Sequence, residues 1–185
     1  MKKRYYLLIL IAFLISLIYD KQILIAITSI RTPILNSIFK FLSSAGTYIP
    51  IPLLIVSLVM FYKKTNKKIT AVWLATLGAF LVSFMIKYLV NKGRPDFIEA
   101  LTLETSPSFP SAHAAVSFAP TYLLTKHLKK IWIAFAILIA FSRVYLGVHY
   151  MSDVIAGSLL GYWIGHIFSK INFSKVKFLK KLKIA

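Results

Sequence analysis

SRVYLGVHYMSD, residues 142–153, places an arginine, a histidine and an aspartate between two apolar runs, IWIAFAILIAF at 131–141 and VIAGSLLGYWIG at 154–165. Both runs suit hydrocarbon, so the stretch reads as the junction of two membrane helices. An ionisable side chain near a bilayer is costly, about 2.5–3.5 kcal/mol at a helix centre, and is retained where it meets partners or a ligand. The polar residues of this junction are therefore candidates for function, and the rest of the chain tests that reading.

The chain has 185 residues, is 58% hydrophobic and contains no cysteine; its mean hydropathy is +0.75. Disulfides, thiolate metal sites and a cysteine nucleophile are excluded. A net charge of +18 would suggest nucleic acid in a soluble domain. Here the charges fall between apolar runs, so no nucleic-acid partner is read and the partner is the bilayer. Apolar stretches at roughly 5–19, 41–62, 69–86, 109–125, 131–148 and 154–169 predict six transmembrane helices, several of them short against the usual length of about 20 residues. The stretch at 109–125 is the weakest, because it holds Ser111, His113 and Pro120. The first run follows MKKR without a small-residue cleavage site and reads as an uncleaved anchor.

The expected fold is all-α: a polytopic bundle forming one membrane-embedded domain over 1–185. Residues 21–40, interrupted by Lys21, Arg31 and Pro33, are expected as an interfacial helix after the first span. Of the 23 basic residues, 16 fall in segments on one side of such a bundle, and all five acids fall on the other. The positive-inside rule then puts both termini in the cytoplasm and the 142–153 junction at the outer face of the cell membrane. The tail KINFSKVKFLKKLKIA, residues 170–185, reads as a basic segment resting on anionic lipid. GxxxGxxxG at 157–165 marks a close-packing helix face, read as contact within the bundle rather than between copies.

This topology brings three polar clusters to one depth: Lys87 and Arg94 from KYLVNKGRPD, Ser111 and His113 from FPSAHAA, and Arg143, His149 and Asp153 from the junction. Taken singly, each has an ordinary explanation: an interface anchor, a helix cap, a tolerated histidine. His127 and His166 are read that way. Together, two arginines and a lysine make a trap for phosphate, since guanidinium forks two oxygens. Ser111 begins a helix whose free N–H groups favour an anion. His149 and Asp153 lie four apart, so the carboxylate can hold one ring nitrogen while the other faces phosphorus. His113, from another helix, can protonate a leaving oxygen. These are the parts for phosphoryl transfer through a phosphohistidine.

The spacings Lys87-x6-Arg94-Pro95, Pro110-Ser111-Ala112-His113 and Ser142-Arg143-x5-His149-x3-Asp153 resemble the three-part signature of the type 2 phosphatidic acid phosphatase family, relatives of the vanadium haloperoxidases. The resemblance implies that Lys87, Arg94, Ser111, the Ala112 amide and Arg143 bind phosphoryl oxygens. It implies His149 as nucleophile, Asp153 as its orienting partner, His113 as acid, and no metal or other cofactor. One departure stands out: the family's middle motif usually carries glycine where this chain has Ala112. A helical backbone there would accept alanine; a positive φ would strain it.

The resemblance also implies a phosphorylated lipid substrate and no obligate protein partner. Polyprenyl (undecaprenyl-type) diphosphate is the expected substrate. Phosphatidylglycerophosphate or phosphatidate is the alternative, and a non-catalytic lipid-binding or transport protein the reading from another class.

Overall fold

The computed structural model describes residues 3–63 and 68–171. Lys64 and Lys67, expected on the cytoplasmic side, and the tail beyond Ile171, expected on the lipid surface, lie outside those residues. Among the described residues the regular structure is helical: α1 Lys3–Thr28, α2 Pro33–Thr47, α3 Pro50–Tyr62, α4 Ile69–Val90, α5 Ala112–Phe118, a 3-10 turn Ala119–Tyr122, α6 Lys126–Tyr145 and α7 Met151–Ser169.

Among the described residues, two helical stretches can cross a membrane by length and composition, Leu7–Thr28 and Ile69–Val90; α2 with α3 makes a third if that pair, bent by 68°, counts as one span. The sequence expectation differs in three places. Residues 21–40 do not form one interfacial helix: Lys21–Thr28 continues α1 past a break at Tyr19 (φ −109°, ψ 16°). Pro33 starts a helix instead of breaking one, because the first helical position has no N–H partner to lose, and the Thr32 side chain accepts the Leu35 N–H at 3.3 Å. Arg31 is partly buried and donates to the carbonyls of Tyr145 (3.1 and 3.0 Å) and Glu99 (2.8 Å).

The second difference is the run at 41–62, which breaks between α2 and α3. The third is the run at 109–125, which is helical only over 112–122. At about 1.5 Å per residue that segment is roughly half as long as a hydrocarbon core is thick.

This short segment is the core of the bundle rather than a lipid-facing span. Ala114, Ala115, Ser117 and Ala119 are fully buried, and α7 lies directly on their backbone. A Cβ at Gly157, Gly161 or Gly165 would come within 2.3, 2.0 and 2.1 Å of the carbonyl oxygens of Ser111, Ala115 and Ala119. The GxxxGxxxG face therefore packs inside the monomer, where only glycine allows this approach. Buried Ile49, Leu53, Val72, Ala75, Trp132 and Ile139 complete the apolar cluster around it.

Candidate active site

Two turns decide where the polar groups point. Asn91 ends α4 in the left-handed conformation (φ 47°), with its N–H on the Lys87 carbonyl at 2.8 Å, a cap that asparagine tolerates better than most residues. The chain thus turns back over the helix end, carrying Lys92 and Arg94. After α6, Gly147 at φ +78° reverses the chain and delivers His149, which is 1% exposed, to the start of α7.

Asp153 sits in the first turn of α7 with no exposure. Its Oδ2 accepts the Tyr150 N–H at 2.9 Å and lies 3.4 Å from His149 Nδ1. On the other side of the ring, Arg94 Nη1 is 3.3 Å from His149 Nε2. Guanidinium only donates, so Nε2 carries the lone pair and the ring proton sits on Nδ1, facing Asp153. Burial, with Arg143 and Arg94 adding to it, pushes the His149 imidazole down to about 3 against the pull of Asp153. The ring is therefore neutral at physiological pH, with its lone pair at Nε2 facing Arg94.

Arg143 is 2% exposed. It donates to Ser43 Oγ of α2 and to Glu104 Oε1, and its buried Nε has no partner. Arg94 reaches the same carboxylate, 3.6 Å from Glu104 Oε2, and donates to the carbonyls of Ser106 (2.7 Å) and Val148 (2.6 Å). An acidic side chain of the protein itself thus pairs with both arginines. Lys87 donates to the carbonyls of Pro107 and Ser108, on the same loop as Glu104.

Ser111 caps α5 by accepting the Ala114 N–H at 3.4 Å, and its own N–H meets the Asp153 carbonyl at 3.0 Å. Ala112 is the first residue of α5, and among the described residues the only non-glycine with positive φ is Asn91. The helical backbone accepts alanine where the resemblance expects glycine. His113 Nε2 is 2.9 Å from Thr47 Oγ1, and its ring lies against Gly46. A cavity of about 500 Å³ ends at these residues, walled by Ile49, Leu53, Trp73, Leu77 and Phe80.

Of the eight residues singled out by sequence, Arg94, Arg143, His149, Asp153 and Ser111 are linked, with Glu104 joining Arg94 to Arg143 and the Ser111 N–H joining the start of α5 to the Asp153 carbonyl; Ala112 and His113 follow Ser111 on α5, and Lys87 is held by the Pro107 and Ser108 carbonyls. Sequence reasoning missed Ser43, Gly46 and Thr47, the α2 face that holds Arg143 and His113. It also missed Glu104, Lys92 and Asp20. The signal for the charged three was available: acids are scarce in this chain, with five in all, and an acid near an arginine trap invites pairing.

A helical membrane protein with a neutral buried histidine, a carboxylate behind it and arginines before it is a phosphoryl-transfer enzyme of the membrane. Residues 67–177 match the PAP2 superfamily. The chain is 36% identical to the undecaprenyl-diphosphatase of Sulfolobus acidocaldarius, over 90% of this chain and 91% of that one. It is 34% identical to phosphatidylglycerophosphatase B of Bacillus subtilis, over 77% of each. A solved PAP2-type phosphatidylglycerolphosphate phosphatase from Bacillus subtilis superposes with a TM-score of 0.74 at 26% identity, over 93% of this chain and 98% of that one. The chain belongs to the PAP2 superfamily, and it is a membrane-embedded lipid phosphatase.

Proposed function

We propose that this chain removes the terminal phosphate of a polyprenyl diphosphate at the outer face of the membrane, through a phosphohistidine on His149. The observation that carries the chemistry is the orientation of that ring, with Nε2 toward Arg94 at 3.3 Å and Nδ1 toward Asp153 at 3.4 Å.

In the first step Lys87, Arg94, Arg143 and the N–H groups at the start of α5 hold the terminal phosphoryl group, and Glu104 yields its place on the two arginines. Nε2 forms a bond to phosphorus as the bond from phosphorus to the bridging oxygen breaks. His113, anchored by Thr47, protonates that oxygen, and the polyprenyl monophosphate leaves. The ring now carries positive charge, which the Asp153 carboxylate stabilises. In the second step His113 takes a proton from water, the oxygen attacks phosphorus, and inorganic phosphate departs with His149 restored. No metal ion has a role in this scheme.

The apolar cavity ending at His113 supports a lipid leaving group, because the acid and the departing chain must share one side of the phosphorus. The undecaprenyl-diphosphatase relative and its coverage of both chains support the diphosphate. Expelling a phosphate oxygen also demands less of the acid than expelling an alkoxide. The Bacillus subtilis relatives favour a second reading, phosphatidylglycerophosphate. Six membrane crossings, with α5 and its 3-10 turn filling the fourth and both termini cytoplasmic, complete the proposal.

Phosphate release by purified protein from polyprenyl diphosphate, phosphatidylglycerophosphate and phosphatidate decides the substrate. Tenfold higher kcat/KM on phosphatidylglycerophosphate, about 1.4 kcal/mol of transition-state preference, would replace the first reading by the second. His149→Ala is expected to be inactive while still folded; an active variant removes the phosphohistidine.

A further inference from the structure

Asp153 raises a question that the phosphate site does not answer. A carboxylate with no solvent exposure needs a cation in contact, yet His149 is neutral and the arginines point the other way. The contact is Lys92, whose Nζ lies 2.8 Å from Asp153 Oδ1. The same ammonium is 3.1 Å from Ser152 Oγ and 3.4 Å from Asp20 Oδ2, so each of its three N–H groups has an acceptor. The Tyr150 ring lies beneath it at 4.4 Å.

Asp20 comes from α1, one residue beyond the break at Tyr19. Its Oδ1 accepts the Ser152 N–H at 2.9 Å, and its Oδ2 accepts the Ser152 hydroxyl. One carboxylate therefore caps the start of α7 and anchors Lys92. The two oxygens of Asp153 are divided in consequence: Oδ1 to Lys92, Oδ2 to the Tyr150 N–H, with His149 Nδ1 3.4 Å from Oδ2.

We propose that Lys92, held by Asp20, is a positioning residue of the phosphatase reaction that fixes Asp153 ionised and aimed at His149. This rests on the reading of His149 as nucleophile and Asp153 as its partner. Lys92 touches neither phosphate nor leaving group; it acts through Asp153. Without it, Asp153 is a buried carboxylate facing a neutral ring, a backbone N–H and the nearby Asp20. It takes up a proton or turns away, and the Nδ1–H tautomer loses its acceptor. The ring can then carry its proton on Nε2, where it blocks attack.

The test is a set of variants assayed for phosphate release in detergent, with inorganic phosphate as competitive inhibitor. Lys92→Met keeps the length and removes the charge. Its kcat is expected to fall about tenfold to a hundredfold, the scale on which outer partners of a catalytic ligand act. Its KM and its Ki for inorganic phosphate should stay within about twofold, because the phosphate donors are untouched. Lys92→Arg should recover most of the lost kcat, and Asp20→Asn should show a smaller fall in kcat alone. A disturbance of packing would instead weaken phosphate binding together with kcat and would not be rescued by arginine; that pattern, or wild-type kcat in Lys92→Met, overturns the proposal. Should Lys92→Met fail to fold, Asp20→Asn decides by the same split between kcat and Ki. His149→Ala separates the two layers. Activity in that variant removes the underlying reading, whereas a fully active Lys92→Met beside an inactive His149→Ala removes only the role of Lys92.

Discussion

Gly46→Ala would add a single methyl group to α2 and should cost the enzyme its acid. A Cβ at that position would stand 2.8 Å from His113 Cδ2 and 2.7 Å from Ile139 Cγ2. Carbon atoms rest about 3.5–4.0 Å apart, so the gap must open by about 0.7–1.2 Å. Ile139 has no exposure and belongs to the central apolar cluster, so it has little room to yield. The cheaper movement is a retreat of the His113 ring or of the end of α2. Either stretches the 2.9 Å contact between Thr47 and His113 beyond hydrogen-bond range. Overpacking of this size costs about 1–3 kcal/mol of stability, and a misplacement near 1 Å costs about a hundredfold in rate.

The assay is steady-state phosphate release with a thermal melt of the solubilised protein. The control is Gly78→Ala, whose Cβ would make an ordinary 3.4 Å contact with Phe168 and which also exchanges a helix glycine for alanine. The expected result is a kcat lower by about tenfold to a hundredfold in Gly46→Ala alone. The fall should be steeper on phosphatidylglycerophosphate, which expels an alkoxide, than on polyprenyl diphosphate. If Gly46→Ala matches Gly78→Ala in both kcat and melting temperature, the positioning of His113 by α2 is refuted.

Three further expectations follow from the same geometry. Arg143→Lys keeps the charge but cannot serve Ser43, Glu104 and a phosphate oxygen together, so KM should rise and kcat/KM fall by about a hundredfold, some 2.7 kcal/mol; a near-wild-type kinetic profile would show that the fork is unused. His149 is held below its ordinary value, at about 3, so below about pH 6.5 the unfolded chain takes up a proton that the folded chain refuses. Stability should therefore decline from about pH 6.5 toward pH 3, while kcat shows no acid limb near pH 6.5 from this ring; a melt insensitive to pH across that window contradicts the buried neutral imidazole. Single cysteines at Lys129 and at Leu103, which is 92% exposed, should be labelled from the cytoplasmic and the outer side respectively, and the opposite pattern inverts the proposed orientation.

The site was legible where polar residues interrupt apolar ones, because each such interruption carries a cost that demands a reason. Lys87, Arg94, His113, Arg143, His149 and Asp153 all stand out on that ground, and the structure joins Arg94, Arg143, His149 and Asp153 directly or through Glu104. Ser43, Gly46 and Thr47 were not legible. Small residues in an apolar run read equally well as helix packing, and their role depends on α2 lying against α6 and α5. The break at Tyr19 has no proline or glycine to announce it, so Asp20 looked like the end of a helix rather than a cap for another. Residues 21–40 misled for a related reason: Arg31 and Pro33 read as interruptions, whereas one satisfies carbonyls of a distant turn and the other starts a helix. The length of the fourth segment was obscured because the apolar residues around α5 continue into turns on both sides.

The placement of charge across the His149 ring gives the site its direction. Arg94 stands on the Nε2 side and shares Glu104, the one acid of this group, with Arg143, while Lys87 donates to carbonyls of the loop that carries Glu104. On the Nδ1 side stand Asp153 and Asp20, with Lys92 as the one cation between them. The first group has two positive charges in excess and the second one negative charge in excess. In the proposed reaction a phosphoryl dianion is drawn to Nε2, and the positive charge that the ring acquires on attack is met at Nδ1. Each minority charge limits its own side. In the proposed cycle Glu104 keeps the arginines paired until an anion of higher charge displaces it, and Lys92 keeps a buried carboxylate ionised. The two exceptions to the charge pattern are therefore what allow the pattern to persist in a low-dielectric site, where cations without an opposite charge would lose protons or draw in water and carboxylates without one would take protons up.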